Sequence, residues 1–98
     1  MPEVTIVYWR DIPAQVIVGK GRKAAKVQLN ERFEQAIDRA AMKTGAAGTD
    51  EYLAEWRKAS SYELPGEQDD IARSEAARIE VEYDKTRLMT LIDNEGRA

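Results

Sequence analysis

Val4-Thr5-Ile6-Val7-Tyr8-Trp9-Arg10-Asp11-Ile12-Pro13-Ala14-Gln15-Val16-Ile17-Val18 is the stretch on which the reading of the fold turns. Its first six residues are all β-branched or aromatic, the types that suit a pleated, half-buried surface. Pro13 disfavours helix at Ile12, so Arg10-Asp11-Ile12-Pro13 reads as a turn and Gln15-Val16-Ile17-Val18 as a second strand. Gly19-Lys20-Gly21-Arg22 places two glycines in three positions and reads as a hairpin turn. Lys23 to Leu29 gives a weaker third strand centred on Val27 and Leu29. The expectation is an antiparallel three-stranded meander. Strand alternation sends Val4, Ile6 and Tyr8 to one side and Thr5, Val7 and Trp9 to the other. The first strand is therefore apolar on both faces.

At Asn30 the period of the pattern changes from two to 3.6. Phe33, Ala36, Ile37, Ala40 and Ala41 form one helical stripe. Asn30 suits an N-cap, Glu31 and Glu34 sit at the positive end of the dipole, and Gly45 suits a left-handed C-cap. The spacing predicts a helix over about 31–44. Gly45-Ala46-Ala47-Gly48 reads as a short linker. Thr49 can cap a second helix over about 50–59, with Tyr52, Leu53 and Trp56 as its apolar stripe. Residues 60–66 read as a loop. Ala72, Ala76, Ile79 and Tyr83 then recur at helical spacing, predicting a helix over about 67–83. A last helix over about 85–92 follows, capped by Asp84 and burying Leu88, Leu91 and Ile92. Ile79-Glu80-Val81-Glu82-Tyr83 also alternates strictly, so a hairpin over residues 77–92 is the alternative. The helix-forming Ala76-Ala77-Arg78 favours the helical reading.

The chain has 98 residues, of which 43% are apolar and 34% charged. That length allows a single domain over residues 1–98, with a thin stability margin. Cysteine and histidine are absent. Thiolate and imidazole chemistry, disulfides and Cys- or His-ligated metals are thereby excluded. No stretch approaches the roughly 18–20 apolar residues that span a bilayer, and the start lacks a signal peptide's pattern. The expected setting is cytoplasmic, with no membrane partner. Charge is uneven: residues 1–30 carry five basic and two acidic side chains, and the remainder ten and sixteen.

Three constellations hold chemistry. Lys20, Gly21, Arg22 and Lys23, with Lys26 nearby, form a basic turn that could hold an anion. The same residues equally suit a solvated hairpin whose lysines keep an edge from pairing. Four cations beside Tyr8 and Trp9 also resemble a stacking platform for nucleic acid, but the formal charge of −3 argues against that partner. The carboxylate pairs Glu80/Asp84 and Glu51/Glu55 share helix faces, as ordinary solvated surface does, so no catalytic residue, metal or cofactor is assigned. The aromatics remain. If the helices cover only one face of the sheet, Val7, Trp9 and Ile17 form an uncovered apolar patch with Arg10 beside the indole. Such patches mark protein contacts. The alternative is that the C-terminal helix crosses over and buries it.

Val4-Thr5-Ile6-Val7-Tyr8-Trp9-Arg10-Asp11-Ile12-Pro13-Ala14-Gln15-Val16, Gly19-Lys20-Gly21-Arg22-Lys23, Arg32-Phe33 with Ala36-Ile37-Asp38-Ala40-Ala41-Met42, and Tyr52-Leu53-Trp56 together resemble the small bacterial family labelled "virulence factor". The resemblance covers roughly residues 3–58. It extends to a domain of the conserved virulence factor C proteins, where an Nfu-like scaffold domain and HEAT repeats accompany it. In the family that the chain resembles, stand-alone versions tend to be encoded near folate and corrinoid one-carbon enzymes. The resemblance implies an accessory or interaction role, carries no catalytic residues, and does not imply toxicity.

The combined expectation is an α+β domain, a three-stranded meander followed by three or four helices packed on one face. Its expected function is that of a non-catalytic interaction module, without cofactor or metal. Val7, Trp9, Arg10 and Ile17 would bind a protein partner, which the resemblance suggests is a one-carbon or corrinoid enzyme assembly, or a second copy of the chain. Lys20, Gly21, Arg22 and Lys23 would steer it. The alternative is a phosphate-bearing ligand of folate or nucleotide type, held by Lys20–Lys23 and stacked on Trp9 or Tyr8.

Overall fold

A computed structural model describes residues 2–45, 48 and 50–98. The chain opens with β1 (Glu3–Trp9) and β2 (Ile12–Val18), then a short 3-10 turn at Gly21–Lys23 and β3 (Ala25–Gln28). Helix α1 (Glu31–Thr44) and the one-turn α2 (Asp50–Ala54) follow. Two short strands, β4 (Trp56–Lys58) and β5 (Tyr62–Glu63), precede α3 (Gln68–Glu82) and α4 (Lys85–Asp93). The expected linker residues Ala46 and Ala47, and the expected cap Thr49, lie outside the described residues.

The architecture is α+β, with the antiparallel meander at its centre. The order is β3-β2-β1-β4, and β5 also pairs with β1. The sheet thus has five strands, against the three expected. β4 occupies the end of the segment expected as helix over 50–59, and β5 lies in the segment expected as loop. Both are only two or three residues long and exposed, too short to show a period. What makes them strands is the free edge of β1, which pairs Val7 with Lys58, Trp9 with Trp56 and Val4 with Tyr62. The turn between β1 and β2 shrinks to Arg10-Asp11, with Arg10 at a φ of 53°. Pro13 sits inside β2 opposite Tyr8, where the register slips by one residue. A proline lacks a ladder donor and is tolerated at such a bulge.

The expected boundaries of α1 hold, and its caps explain them. Asn30 Oδ1 accepts from Arg32 N at 3.2 Å, and Gly45 closes the helix at a φ of 76°. Asp84 caps α4 by accepting from Arg87 N at 2.9 Å. Residues 77–92 therefore form two helices about a break at Tyr83 and Asp84, and not a hairpin.

One side of the sheet supplies Val4, Ile6, Val16 and Val18 to the core, all nearly or fully buried. α3 lies across β2 and β3, and α1 packs on β2 and on α4. Phe33, Ile37, Ile71, Ile79 and Leu88 fill the space between. Two polar clamps lock the helical layer. The Arg32 guanidinium donates to the carbonyls of Glu80 and Tyr83, tying α1 to the end of α3. Glu75, a buried carboxylate, accepts from the Tyr62 hydroxyl, while Arg78 Nε lies 2.8 Å from its other oxygen. The Arg78 hydrogen bonds hold the Glu75 carboxyl below its ordinary range, against the opposing effect of burial. Burial, with the Glu75 contact second, pushes Tyr62 up to about 12.

Candidate functional site

Cross-strand partners in an antiparallel ladder present their side chains on the same side. Thr5 pairs with Ile17, Val7 with Gln15 and Lys58, and Ile17 with Lys26. These six residues therefore share the face opposite Val4, Ile6, Val16 and Val18. Thr5, Val7, Gln15 and Ile17 are half-buried, and Lys26 and Lys58 are exposed. The face is apolar at its centre and cationic at its rim. At its upper end a shallow cavity of about 290 Å³ is bounded by Thr5, Ile17, Lys20, Lys26, Lys58 and Glu3, with Gly19 and Gly21 behind. Lys20 Nζ lies 3.5 Å from Glu3 Oε2 on this rim. Three ammonium groups thus border one cavity that holds a single carboxylate. Lys58 was missed in the sequence because β4 was read as helix.

The basic turn is only partly assembled as expected. Lys20 and Gly21 face the cavity, whereas Arg22 and Lys23 stand exposed in the 3-10 turn and do not line it. The Gly19 amide donates to the Glu3 carbonyl at 2.8 Å, so it is not available to an anion.

Trp9 is corrected outright. Its side chain is fully buried and does not belong to any open patch. The cover comes from residues far away in sequence. Its indole Nε1 donates to the Tyr52 carbonyl at 2.9 Å, and the Tyr52 ring meets the indole edge-on with centroids 5.7 Å apart. Gly96 presses on the other edge: a Cβ built there would sit 2.9 Å from the Trp9 ring. Segment 50–58 therefore returns to the edge of β1, and Tyr52 closes over the indole.

Arg10 is likewise corrected as an exposed anchor. Its side chain is 10% exposed, with Nε 2.9 Å from Glu55 Oε2 and the guanidinium 5.1 Å from the indole centroid. Its Nη1 donates to the Glu95 carbonyl at 2.8 Å. Glu55 also takes Arg97 Nη2 at 3.0 Å. The pair Trp9-Arg10 is a structural clamp between the first turn, α2 and the C-terminal turn.

Tyr8 is half-buried beneath the Arg57 guanidinium, 4.6 Å from its ring, and desolvation raises its pKa. It shares its cavity with Asp11, Arg57, Tyr83 and Arg87, away from the Lys20 turn. The stacking rings and the basic turn of the ligand reading are therefore not brought together. Among the described residues no group of three or more acidic side chains is placed to hold a metal ion. No helix among them is long and apolar enough to cross a membrane.

With this geometry in place, comparison with known proteins adds one match. The model of a protein family described as virulence factor matches residues 7–92. No curated protein and no solved structure matches the chain.

Proposed function

The chain belongs to the virulence factor family, and from that premise we propose that it works as a small cytoplasmic interaction module without catalysis of its own. It docks an acidic protein surface on the open face of its sheet. The observation that carries the reading is Val7 and Ile17, half-buried, sharing that face with Lys26 and Lys58 and with Lys20 at its upper end. The aliphatic centre supplies contact area, and the ammonium groups select and steer an acidic partner. Trp9 and Arg10 take no part in the contact and instead hold the lower end of the face in shape.

The convergence of Lys20, Lys26 and Lys58 on one cavity also favours a second reading, a phosphate-bearing ligand. The two separate on Val7 and Ile17, which a protein contact needs and a bound phosphate does not. The test is affinity purification of the tagged chain from its native cell, with mass spectrometry of what is retained. Wild type is compared with Ile17→Glu, with Lys26→Glu plus Lys58→Glu, and with Val81→Ala on the exposed side of α3 as a control. The reading expects a protein retained by wild type and control and lost with both sheet-face variants. The same retained set in all four overturns it. Weakening by the lysine variant in a salt-dependent way, with Ile17→Glu silent, favours the phosphate reading.

A further inference from the structure

The helical layer holds a groove that the sheet-face reading does not use. α1 and α4 pack side by side, and between them lies an open cavity of about 280 Å³. Ala36, Leu88 and Ile92 form its floor and Met89 stands at its lip, 51% exposed. The rim is Arg32, Arg39 and Lys85, and no carboxylate lines it.

That rim runs against the composition of the chain, which has 18 acidic and 15 basic residues. Two acids of the neighbouring helices are paired elsewhere. Asp93 on α4 lies 3.7 Å from Lys43, and Glu82 pairs with Arg78 at 3.0 Å. Arg32 is held by two carbonyls at the end of α3, which fixes its guanidinium without neutralising it. Arg39 and Lys85 have no ion pair or hydrogen bond among the described residues. An apolar trough between two helices is thus bordered by three positive charges that form no ion pair among the described residues.

We propose that the α1–α4 groove docks an acidic amphipathic helix of a protein partner. Two packed helices leave a trough between them, and a third helix laid along it contacts the floor at every third or fourth residue. α4, with nine residues, offers roughly 13 Å of lip, about two and a half turns. The unbranched Met89 side chain adapts to the shape of what lies on it. Leucine-type residues of the partner fill the space over Ala36, Leu88 and Ile92. Its carboxylates, one turn apart, meet Arg39 on one lip and Lys85 on the other. A cationic helix would meet like charge on both sides and be rejected. The cations also suit an anionic lipid surface, but a concave floor between two lips fits a rod better than a plane. This surface is distinct from the sheet face, and either can fail without the other.

The test is a methyl- and amide-resolved NMR titration of the full chain. The probes are a synthetic helix of about 15 residues, leucine on one side and glutamate on the other, and its lysine-for-glutamate counterpart. Vesicles of phosphatidylglycerol are the third arm. The expected result is movement of the Met89 methyl and of the Ala36, Leu88 and Ile92 amides with the acidic helix. Arg39→Glu with Lys85→Glu should weaken that binding at least tenfold. Met89→Gln should weaken it several-fold without altering charge, and Ile17→Glu should leave it unchanged. Equal binding of both peptides, unaltered binding by the double variant, or groove shifts only with vesicles would each overturn the proposal. So would an acidic helix that moves no groove resonance.

Discussion

Replacing Trp9 by alanine should remove a large part of the folding free energy. The side chain is fully buried, its ring meets Tyr52 edge-on, and its Nε1 donates to the Tyr52 carbonyl. Truncating a buried tryptophan costs about 3–5 kcal/mol in transfer and cavity terms. The Tyr52 carbonyl then loses its shorter hydrogen bond and keeps the Glu55 amide at 3.4 Å, so the lost bond adds only about 0.5–1.5 kcal/mol. Domains are held by only about 5–15 kcal/mol in total. Urea unfolding followed by far-ultraviolet circular dichroism reads the loss directly, and thermal unfolding should show Tm lowered by at least about 12 °C. Trp9→Phe separates the contributions, since the ring is largely kept and the donor lost; a smaller loss, with about 0.5–1.5 kcal/mol from the hydrogen bond, is expected. A Trp9→Ala protein melting within about 4 °C of wild type would refute the account of how the lower end of the sheet is closed.

Gly96→Ala should act on the same contact from the other side. Gly96 lies at a φ of 85°, and an added Cβ would approach the Trp9 ring to 2.9 Å, so a loss of about 1–3 kcal/mol is expected in urea unfolding. Neighbouring residues of β1 should differ sharply: Ile6→Ala should cost about 2–5 kcal/mol, whereas Val7→Ala on the open face should cost well under half of that. Equal losses would contradict the assignment of faces. The Glu75 carboxyl is depressed in the folded chain below its usual 4.5, so its contribution is complete above that pH and fades as pH falls through the folded value. Denaturation midpoints should therefore drop below about pH 4.5, and less so in Glu75→Gln. Tyr62 has the opposite sign: raised from 10.0 to about 12, it contributes below pH 10 and is lost towards 12. Tyr62→Phe should delete a late step from an ultraviolet titration of the tyrosines.

Local signals carried much of the fold. Asn30, Gly45 and Asp84 mark helix ends because capping is a property of a few neighbouring residues, and all three cap as the sequence suggests. The β1–β2 hairpin follows from residue types that pack on a pleated surface. What could not be read is what distance creates. Trp56-Arg57-Lys58 has no strand period of its own and becomes β4 because β1 offers an unpaired edge. The alternation of β1 correctly separated Val7 from Ile6, but nothing local to Trp9 announces that Tyr52 and Gly96 will cover it. Arg10 looked like a surface cation for the same reason; its partner Glu55 is on a segment 45 residues away. Of the candidate site, Val7, Ile17 and Lys20 were legible, and Lys58 appeared only with β4.

The C-terminal turn has a bearing on how the molecule comes into being. The carbonyls of Glu95 and Gly96 receive the Arg10 guanidinium and the Asp11 amide, a span of 85 residues along the chain. A hairpin and its helices form quickly because their contacts are near neighbours, whereas a closure between such remote positions waits on a long loop search. Until that closure the edge of the indole that Gly96 covers stays open, even where Tyr52 already meets the ring. A ribosome-bound or truncated chain halted there would be a natural client for chaperones, and a fluorophore reporting on that ring would time the completion of folding.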